Sequence, residues 1–185
     1  MLSLDRLKYI EGIQKYTRFS VVTTIAIAIV VLVIIVVSHT VIKEKELSDI
    51  LYSPFLMITV VALLLYCFIL YRIKQRTQRL QELIEQMSEE EFQFLLQAQS
   101  SLSFYYKYAP TFVICRDRLY LFTLFEIKEI DPKKVEKVAY HYARGGSFLV
   151  EIQSPETTKL EVYTSSFPYL KSLIRKYNPN ADIKD

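Results

Sequence analysis

The chain has 185 residues, of which 51% are hydrophobic, and its formal net charge is +3. With three glycines it has too few for a phosphate-binding glycine loop, and a mild positive charge is not the strongly basic face that nucleic-acid binding requires. Nucleotide-dependent enzymes of that type and nucleic-acid partners are therefore excluded.

Two runs without a charged residue stand out near the N-terminus. They extend from Ser20 to Ile42 and from Ile50 to Tyr71, 23 and 22 residues. At about 1.5 Å per helical residue, each is long enough for a hydrocarbon layer of about 30 Å. The sequence predicts a transmembrane hairpin. The alternatives are buried elements of a soluble core and, for the first run, a cleaved signal peptide.

The basic residues beside these runs predict an orientation. Four precede the first run, two lie between the runs, and four follow the second, namely Arg72, Lys74, Arg76 and Arg79. Because positive segments stay on the cytoplasmic side, both termini are expected there, in a multi-pass protein of the inner or cytoplasmic membrane. The four basic residues that follow the second run are interpreted as a membrane-exit cluster that contacts anionic lipids, or alternatively as a solvated helix face.

Helical spacing continues after the second run. Leu80, Leu83, Ile84 and Met87 recur at the spacing of one helix face, and Ser88 with Glu91 has the spacing of a capping box that begins another helix. The apolar stripe can pack on the chain's own domain, on a second copy in a homo-oligomer, or on another protein. Before the first run, residues 1–19 form either a short interfacial helix or a disordered segment.

From Thr111 onward the pattern alternates, which predicts strands. About six short antiparallel strands are expected, with a tight turn at Gly145-Gly146, followed by an amphipathic helix that ends before Asn178-Pro179. The predicted fold class is a membrane helical hairpin plus an α+β domain, in which the helix closes a bent sheet or partly open barrel. The predicted parts are residues 1–19, 20–73, a helical linker at 74–101, and the domain at 102–185.

Three features of the C-terminal part carry a family resemblance. The stretch VICRDRLYLF looks like an opening strand, turn and strand; IDPKKVEKVAY looks like a strand entry; and a helix follows the strands. This order resembles the pleckstrin-homology-like fold of small bacterial membrane proteins, such as the uncharacterised YcxB-like families. The resemblance implies a membrane-anchored cytoplasmic domain. The paired basic residues that hold inositol phosphates in some members are not located here.

Residues that would carry catalysis or bind a metal are scattered. His39 and His141 are about a hundred residues apart, and Cys67 and Cys115 are isolated, so no metal-ligand spacing is present. The carboxylates near Glu126 alternate with lysines, which is typical of a solvated surface. We therefore predict neither an enzyme nor a cofactor.

The candidate contact residues are Lys133, Lys134, Lys137, Tyr140 and Tyr142. The lysines could contact a protein or anionic lipid headgroups, and the tyrosines could line a peptide groove; alternatively they are ordinary surface lysines and sheet-forming tyrosines. The predicted function is that of a membrane-anchored, non-catalytic binding or scaffolding protein that presents this domain to a protein partner or lipid surface. The alternative is an accessory subunit of a membrane enzyme or transporter complex.

Overall fold

The computed structural model describes residues 3–43, 54–100, 102, 104–123 and 126–183. The chain divides into two compact units: Met1–Ile13 with Gln78–Asp185, and Gln14–Thr77. Two long helices, α1 (Leu4–Lys43) and α2 (Pro54–Gln86), contribute residues to both units.

The unit of residues 14–77 contains the larger part of both long helices. Thr17 and Thr77 join them through a hydroxyl–hydroxyl hydrogen bond of 3.0 Å. Large apolar side chains are exposed along both helices. They include Phe19, Val22, Ile25, Ile27, Ile29, Val61, Leu64, Leu65, Phe68 and Ile69.

Within the described ranges, no helix combines the length and the apolar character needed to cross a membrane. This finding contradicts the predicted membrane hairpin of residues 20–73 and the multi-pass membrane localisation. The interpretation of the basic residues at 72–79 as a membrane-exit cluster stays a prediction. The first uncharged run lies inside α1, a helix of 40 residues that also includes charged turns. Residues 54–71 of the second run lie inside α2, a helix of 33 residues that does the same, and residues 50–53 lie outside the described residues. The short connection predicted between the two runs extends from Lys43 to Asp49; Lys43 is the last residue of α1, and residues 44–49 lie outside the described residues.

The other unit is an α+β structure with two sheets. The first sheet is antiparallel, in the order β1 (Phe112–Cys115), β2 (Arg118–Phe122), β3 (Ile127–Ile130). The second has the order β6-β5-β4-β7, with β4 (Lys137–Ala143), β5 (Ser147–Ser154) and β6 (Glu156–Tyr163) antiparallel and β7 (Asp182–Ile183) parallel to β4. Three helices complete it: α3 (Glu89–Ser100), α4 (Phe104–Lys107) and α5 (Phe167–Tyr177).

The single bent sheet of the prediction is thus replaced by two sheets. The chain passes from one to the other through a 3-10 turn at Pro132–Lys134. Asp131 caps this turn by accepting a hydrogen bond of 3.1 Å from the backbone N–H of Lys133. A proline at the start of a helical turn has a suitable φ but no N–H for a strand ladder, so the strand ends here.

The main core lies between the two sheets and α5. Side chains alternate between the two faces of a strand, so every second residue of each strand points inward. α5 has Pro168 in its first turn, as the helix start favours, and its apolar face closes the core. The buried residues are Phe112, Ile114, Leu119, Leu121, Val135, Val138, Val150, Ile152, Leu160, Val162, Phe167, Leu170, Leu173, Ile174 and Ile183.

A second core lies on the other face of the first sheet, so all four residues of β1 are buried. Val113 and Cys115 of β1 and Phe122 of β2 face the helices there. They pack with Tyr9 and Ile13 of α1, Leu80, Leu83 and Ile84 of α2, Met87, and Phe92 and Leu95 of α3. The apolar stripe of residues 80–87 is therefore used inside the chain, and self-association through that stripe has no free apolar face to use.

Arg6 joins the start of α1 to the corner between α2 and α3. Its Nη1 donates to the carbonyl of Met87 at 2.8 Å, and its Nη2 donates to the carbonyl of Ser88 at 3.3 Å and to the Glu89 carboxylate at 3.1 Å. Its guanidinium also lies 5.0 Å from the centre of the Phe92 ring. The Met87 carbonyl, just past the end of α2, thereby gains a donor, whereas the Ser88 carbonyl also accepts a hydrogen bond of 3.1 Å from the N–H of Phe92.

The predicted capping box at this corner is confirmed. The N–H of Glu91 donates to Ser88 Oγ at 3.2 Å, and the N–H of Ser88 donates to the Glu91 carboxylate at 2.8 Å. These reciprocal bonds satisfy donors at the start of α3.

α1 also contacts the segment after α3. The Tyr9 hydroxyl donates to the Lys107 carbonyl at 2.8 Å, and burial raises the pKa of this phenol. At Gly12, an added Cβ would lie only 2.2 Å from Cε1 of Tyr108, so the ring of Tyr108 takes the space that a side chain would need.

Candidate binding site on the edge of β4

One edge of β4 is largely open. β4 pairs with β5 over all seven residues on one side, but on the other side it pairs with β7 only at Lys137 and Val138. Past Val138, no strand within the described ranges pairs with this edge. The N–H of Asp182 in β7 donates to the Glu136 carbonyl at 2.8 Å. Since alternate residues turn their backbone groups to opposite edges, those of Tyr140 and Tyr142 face the open side.

Aromatic rings cluster beside this edge. The Tyr140 ring lies 4.5 Å from that of Phe167 and 5.1 Å from that of Phe148, and the Phe148 and Phe167 rings are 5.1 Å apart. The Tyr142 ring lies 6.0 Å from that of Phe148, at 84°. Tyr142 is 69% exposed, so one side of the cluster is accessible.

The sheet register explains why these rings meet. Tyr142 of β4 is paired with Phe148 of β5, so the two side chains share the inner face of the sheet. Between them the turn uses Gly145 and Gly146 at φ values of +85° and +78°, which glycine adopts without the strain a side chain would add. α5 then brings Phe167 against Tyr140 from above the sheet.

A positive charge lies over the cluster. The Lys171 ammonium of α5 is 5.8 Å from the centre of the Tyr140 ring and 5.9 Å from that of Phe167. We call the set of Tyr140, Tyr142, Phe148, Phe167 and Lys171, together with the open backbone of β4, the β4 edge surface. It offers unpaired ladder groups, an exposed ring and an ammonium, which suit an extended segment with apolar and acidic side chains.

The predicted lysines lie outside this surface. Lys133 and Lys134 are exposed in the 3-10 turn before β4, and Lys137 is half-buried at the first position of β4. Because Lys137 is an odd-numbered strand residue, its side chain is on the opposite face from those of Tyr140 and Tyr142. The structure therefore brings the two tyrosines together and leaves the three lysines apart from them.

The second predicted set, the basic residues at 72–79, belongs to two units. Arg72 donates to the Gln75 side chain at 3.0 Å, and Lys74 and Arg76 lie nearby on the same helix. Arg79 belongs to the other unit, where it donates to Glu82 at 2.9 Å. This hydrogen bond is the main cause of the raised pKa of Arg79.

The described residues contain no group of three or more side chains that could hold a metal ion. His141 is exposed on the outer face of β4. Cys115 is buried, and burial raises the pKa of its thiol. That the protein is neither an enzyme nor cofactor-dependent stays a prediction.

Sequence reasoning missed Phe148, Phe167 and Lys171 as site residues. Phe148 could have been found by counting outward from the Gly145-Gly146 turn, which places it across from Tyr142. Lys171 could not have been identified from the sequence, because its position over Tyr140 depends on how α5 packs across the sheet.

The comparisons with known proteins add no assignment. No protein-family model, no curated protein and no solved structure matches this chain. The resemblance to pleckstrin-homology-like domains and the YcxB-like families therefore stays a prediction from the sequence pattern.

Proposed function

We propose that this protein is a non-catalytic binding module that takes an extended segment of a protein partner onto the edge of β4. The observation that carries the proposal is an open strand edge beside an exposed aromatic cluster. Unpaired N–H and C=O groups on an edge strand are a template for another strand. In such complexes the main-chain bonds supply affinity and the neighbouring side-chain positions supply specificity.

The side chains define the chemistry of the partner. Tyr142 is largely exposed, and tyrosines that become buried at an interface are enriched among the residues that dominate binding. Lys171 adds a positive charge, which favours an acidic residue in the partner. A lipid surface has less support, because the three predicted lysines are not grouped with the tyrosines.

The first test is selection of binders from a display library of random extended peptides on the full chain. Selected peptides should bind Tyr142→Ala about tenfold or more weakly than the unaltered chain, since loss of a central tyrosine costs more than about 1.4 kcal/mol. His141→Ala is the matched control. His141 is also exposed and adjacent on β4, but its side chain points to the opposite face.

The proposal fails if no peptide is selected, or if His141→Ala weakens binding as much as Tyr142→Ala. A second comparison measures the contribution of the backbone hydrogen bonds of β4 to peptide binding. Tyr142→Pro removes the outward N–H as well as the ring, so it should bind peptides a further ~2- to 10-fold more weakly than Tyr142→Ala, the effect of one hydrogen bond of ~0.5–1.5 kcal/mol. Equal binding by these two variants would refute pairing through the β4 backbone.

A further inference from the structure

Strand β7 already occupies part of the proposed binding edge. Asp182 is paired with Lys137 and Ile183 with Val138, in parallel orientation. The ladder begins with the hydrogen bond from the Asp182 N–H to the Glu136 carbonyl at 2.8 Å. Asp182 is exposed, whereas the Ile183 side chain is 9% exposed and joins the main core.

The attachment of β7 is small. The strand has two residues, and only one of its side chains is buried. Segments with few ladder bonds and little buried apolar surface open at a small fraction of the global free energy of unfolding. β7 can therefore leave β4 while the β4–β5–β6 ladder, with seven and eight paired positions, stays intact.

A partner strand and β7 compete for the same backbone groups. A segment that pairs along the whole of β4, from Lys137 to Ala143, needs the positions at which β7 lies. Only the last part of the edge, beside Tyr140 and Tyr142, is open while β7 is in place.

We infer that β7 is an intramolecular stand-in for the partner: it occupies the positions on β4 that the partner strand takes, and it leaves β4 when the partner binds. The partner segment should therefore have side chains of the same kind as β7. Resting on the function proposed above, this inference specifies an extended segment, parallel to β4, in which an acidic residue is followed by a branched apolar residue. The acidic residue lies across from Lys137 at the strand entry, and the apolar one fills the position of Ile183.

The test uses the chain's own sequence as the probe. A fluorescently labelled peptide with the sequence of residues 178–185, NPNADIKD, is titrated against the full chain and against a chain from which residues 181–185 are deleted. The shortened chain should bind the peptide at least about tenfold more tightly, because in the full chain the tethered strand competes at high effective concentration. A peptide carrying Ile183→Asp should bind the shortened chain more weakly.

A second variant keeps the test valid if the shortened chain does not fold. Asp182→Pro in the full chain removes the N–H that donates to Glu136 and keeps every other residue, so it should also take up the peptide. Peptide uptake by every altered chain that folds, lost with Ile183→Asp in the peptide, supports the inference. Equal binding by the full and altered chains, or no uptake by a folded Asp182→Pro chain, overturns it.

The two proposals can fail separately. If peptides selected from the display library bind the full chain and the chains with β7 removed or blocked equally, the β4 edge takes partners but β7 is no stand-in. If no library peptide binds and NPNADIKD binds none of the chains, both proposals are overturned.

Discussion

Replacement of Arg6 by methionine should destabilise the α+β unit by about 2–3 kcal/mol. Arg6→Met keeps an unbranched stem of similar length and removes the guanidinium. The hydrogen bond from Arg6 to the Met87 carbonyl is buried and charge-assisted, and a bond of this kind contributes about 1.5–3 kcal/mol to the free energy of unfolding. The longer bond to Ser88 and the contact with Phe92 each add about 1 kcal/mol or less.

Of the two remaining effects, one adds little to this sum and the other opposes it. The carboxylate of Glu89 is 60% exposed, so its ion pair with Arg6 contributes only about 0–1 kcal/mol. In addition, Arg6 Nε is buried without a hydrogen-bond partner. Because Arg6→Met removes this unsatisfied group, the variant regains about 1 kcal/mol of the free energy of unfolding. The net loss remains substantial because methionine leaves the Met87 carbonyl buried and unpaired.

The assay is hydrogen exchange of backbone amides in the β1–β2 ladder, which reports on opening of this unit. A loss of 2–3 kcal/mol corresponds to exchange about 30- to 150-fold faster. Lys8→Met is the control, since Lys8 is exposed on the same helix. If Arg6→Met changes exchange no more than Lys8→Met, the corner between α2 and α3 does not depend on Arg6.

Three further predictions concern side chains of the same unit. Gly12→Ala should destabilise it by about 1–2 kcal/mol despite the better helix propensity of alanine, because the new methyl group meets the Tyr108 ring; unchanged ladder exchange would contradict this. Tyr177→Phe should lower the free energy of unfolding by at most about 1 kcal/mol, since the 2.6 Å hydrogen bond from Tyr177 to Asp117 is exposed. Backbone amide exchange should become faster at the end of α5 and not in β5. In a chain with Cys67→Ser, which removes the other and exposed thiol, the Cys115 thiol should resist aromatic disulfide reagents until the unit unfolds, and prompt labelling would refute its burial. Because burial raises the pKa of Cys115 in the folded state, stability should fall as the pH rises above the ordinary thiol value.

Features set by neighbouring residues were accessible from the sequence. The β1–β2 and β4–β5 hairpins, the capping box at Ser88 and the extent of α5 follow from alternation, turn residues and helical spacing, which are local signals. Even so, the β1–β2 turn has Arg116 and Asp117 at φ values of +52° and +59°, where glycine or asparagine is usual. The sequence offered no cue for that geometry.

Features that depend on distant segments were not accessible. β7 has two residues and no pattern of its own, so only its pairing with Lys137 and Val138 defines it. The uncharged runs predict membrane spans because length and lack of charge are the criteria that a sequence offers, but no helix of the described residues is long and apolar enough to cross a membrane. For the candidate binding site, the sequence singles out the two tyrosines as candidates, whereas Phe167 and Lys171 become candidates only through the packing of α5.

The burial of β1 on both faces determines which pieces of this chain can be produced alone. A fragment beginning near residue 102 would contain β1 to β7 but would present Val113, Cys115 and Phe122 to water, because their covering residues come from α1, α2 and α3. Such a fragment would aggregate through that face. A fragment beginning at Gln78 would restore α3 and the end of α2 but still lack Tyr9 and Ile13, so residues 4–13 supplied as a separate peptide should bind it and raise its stability.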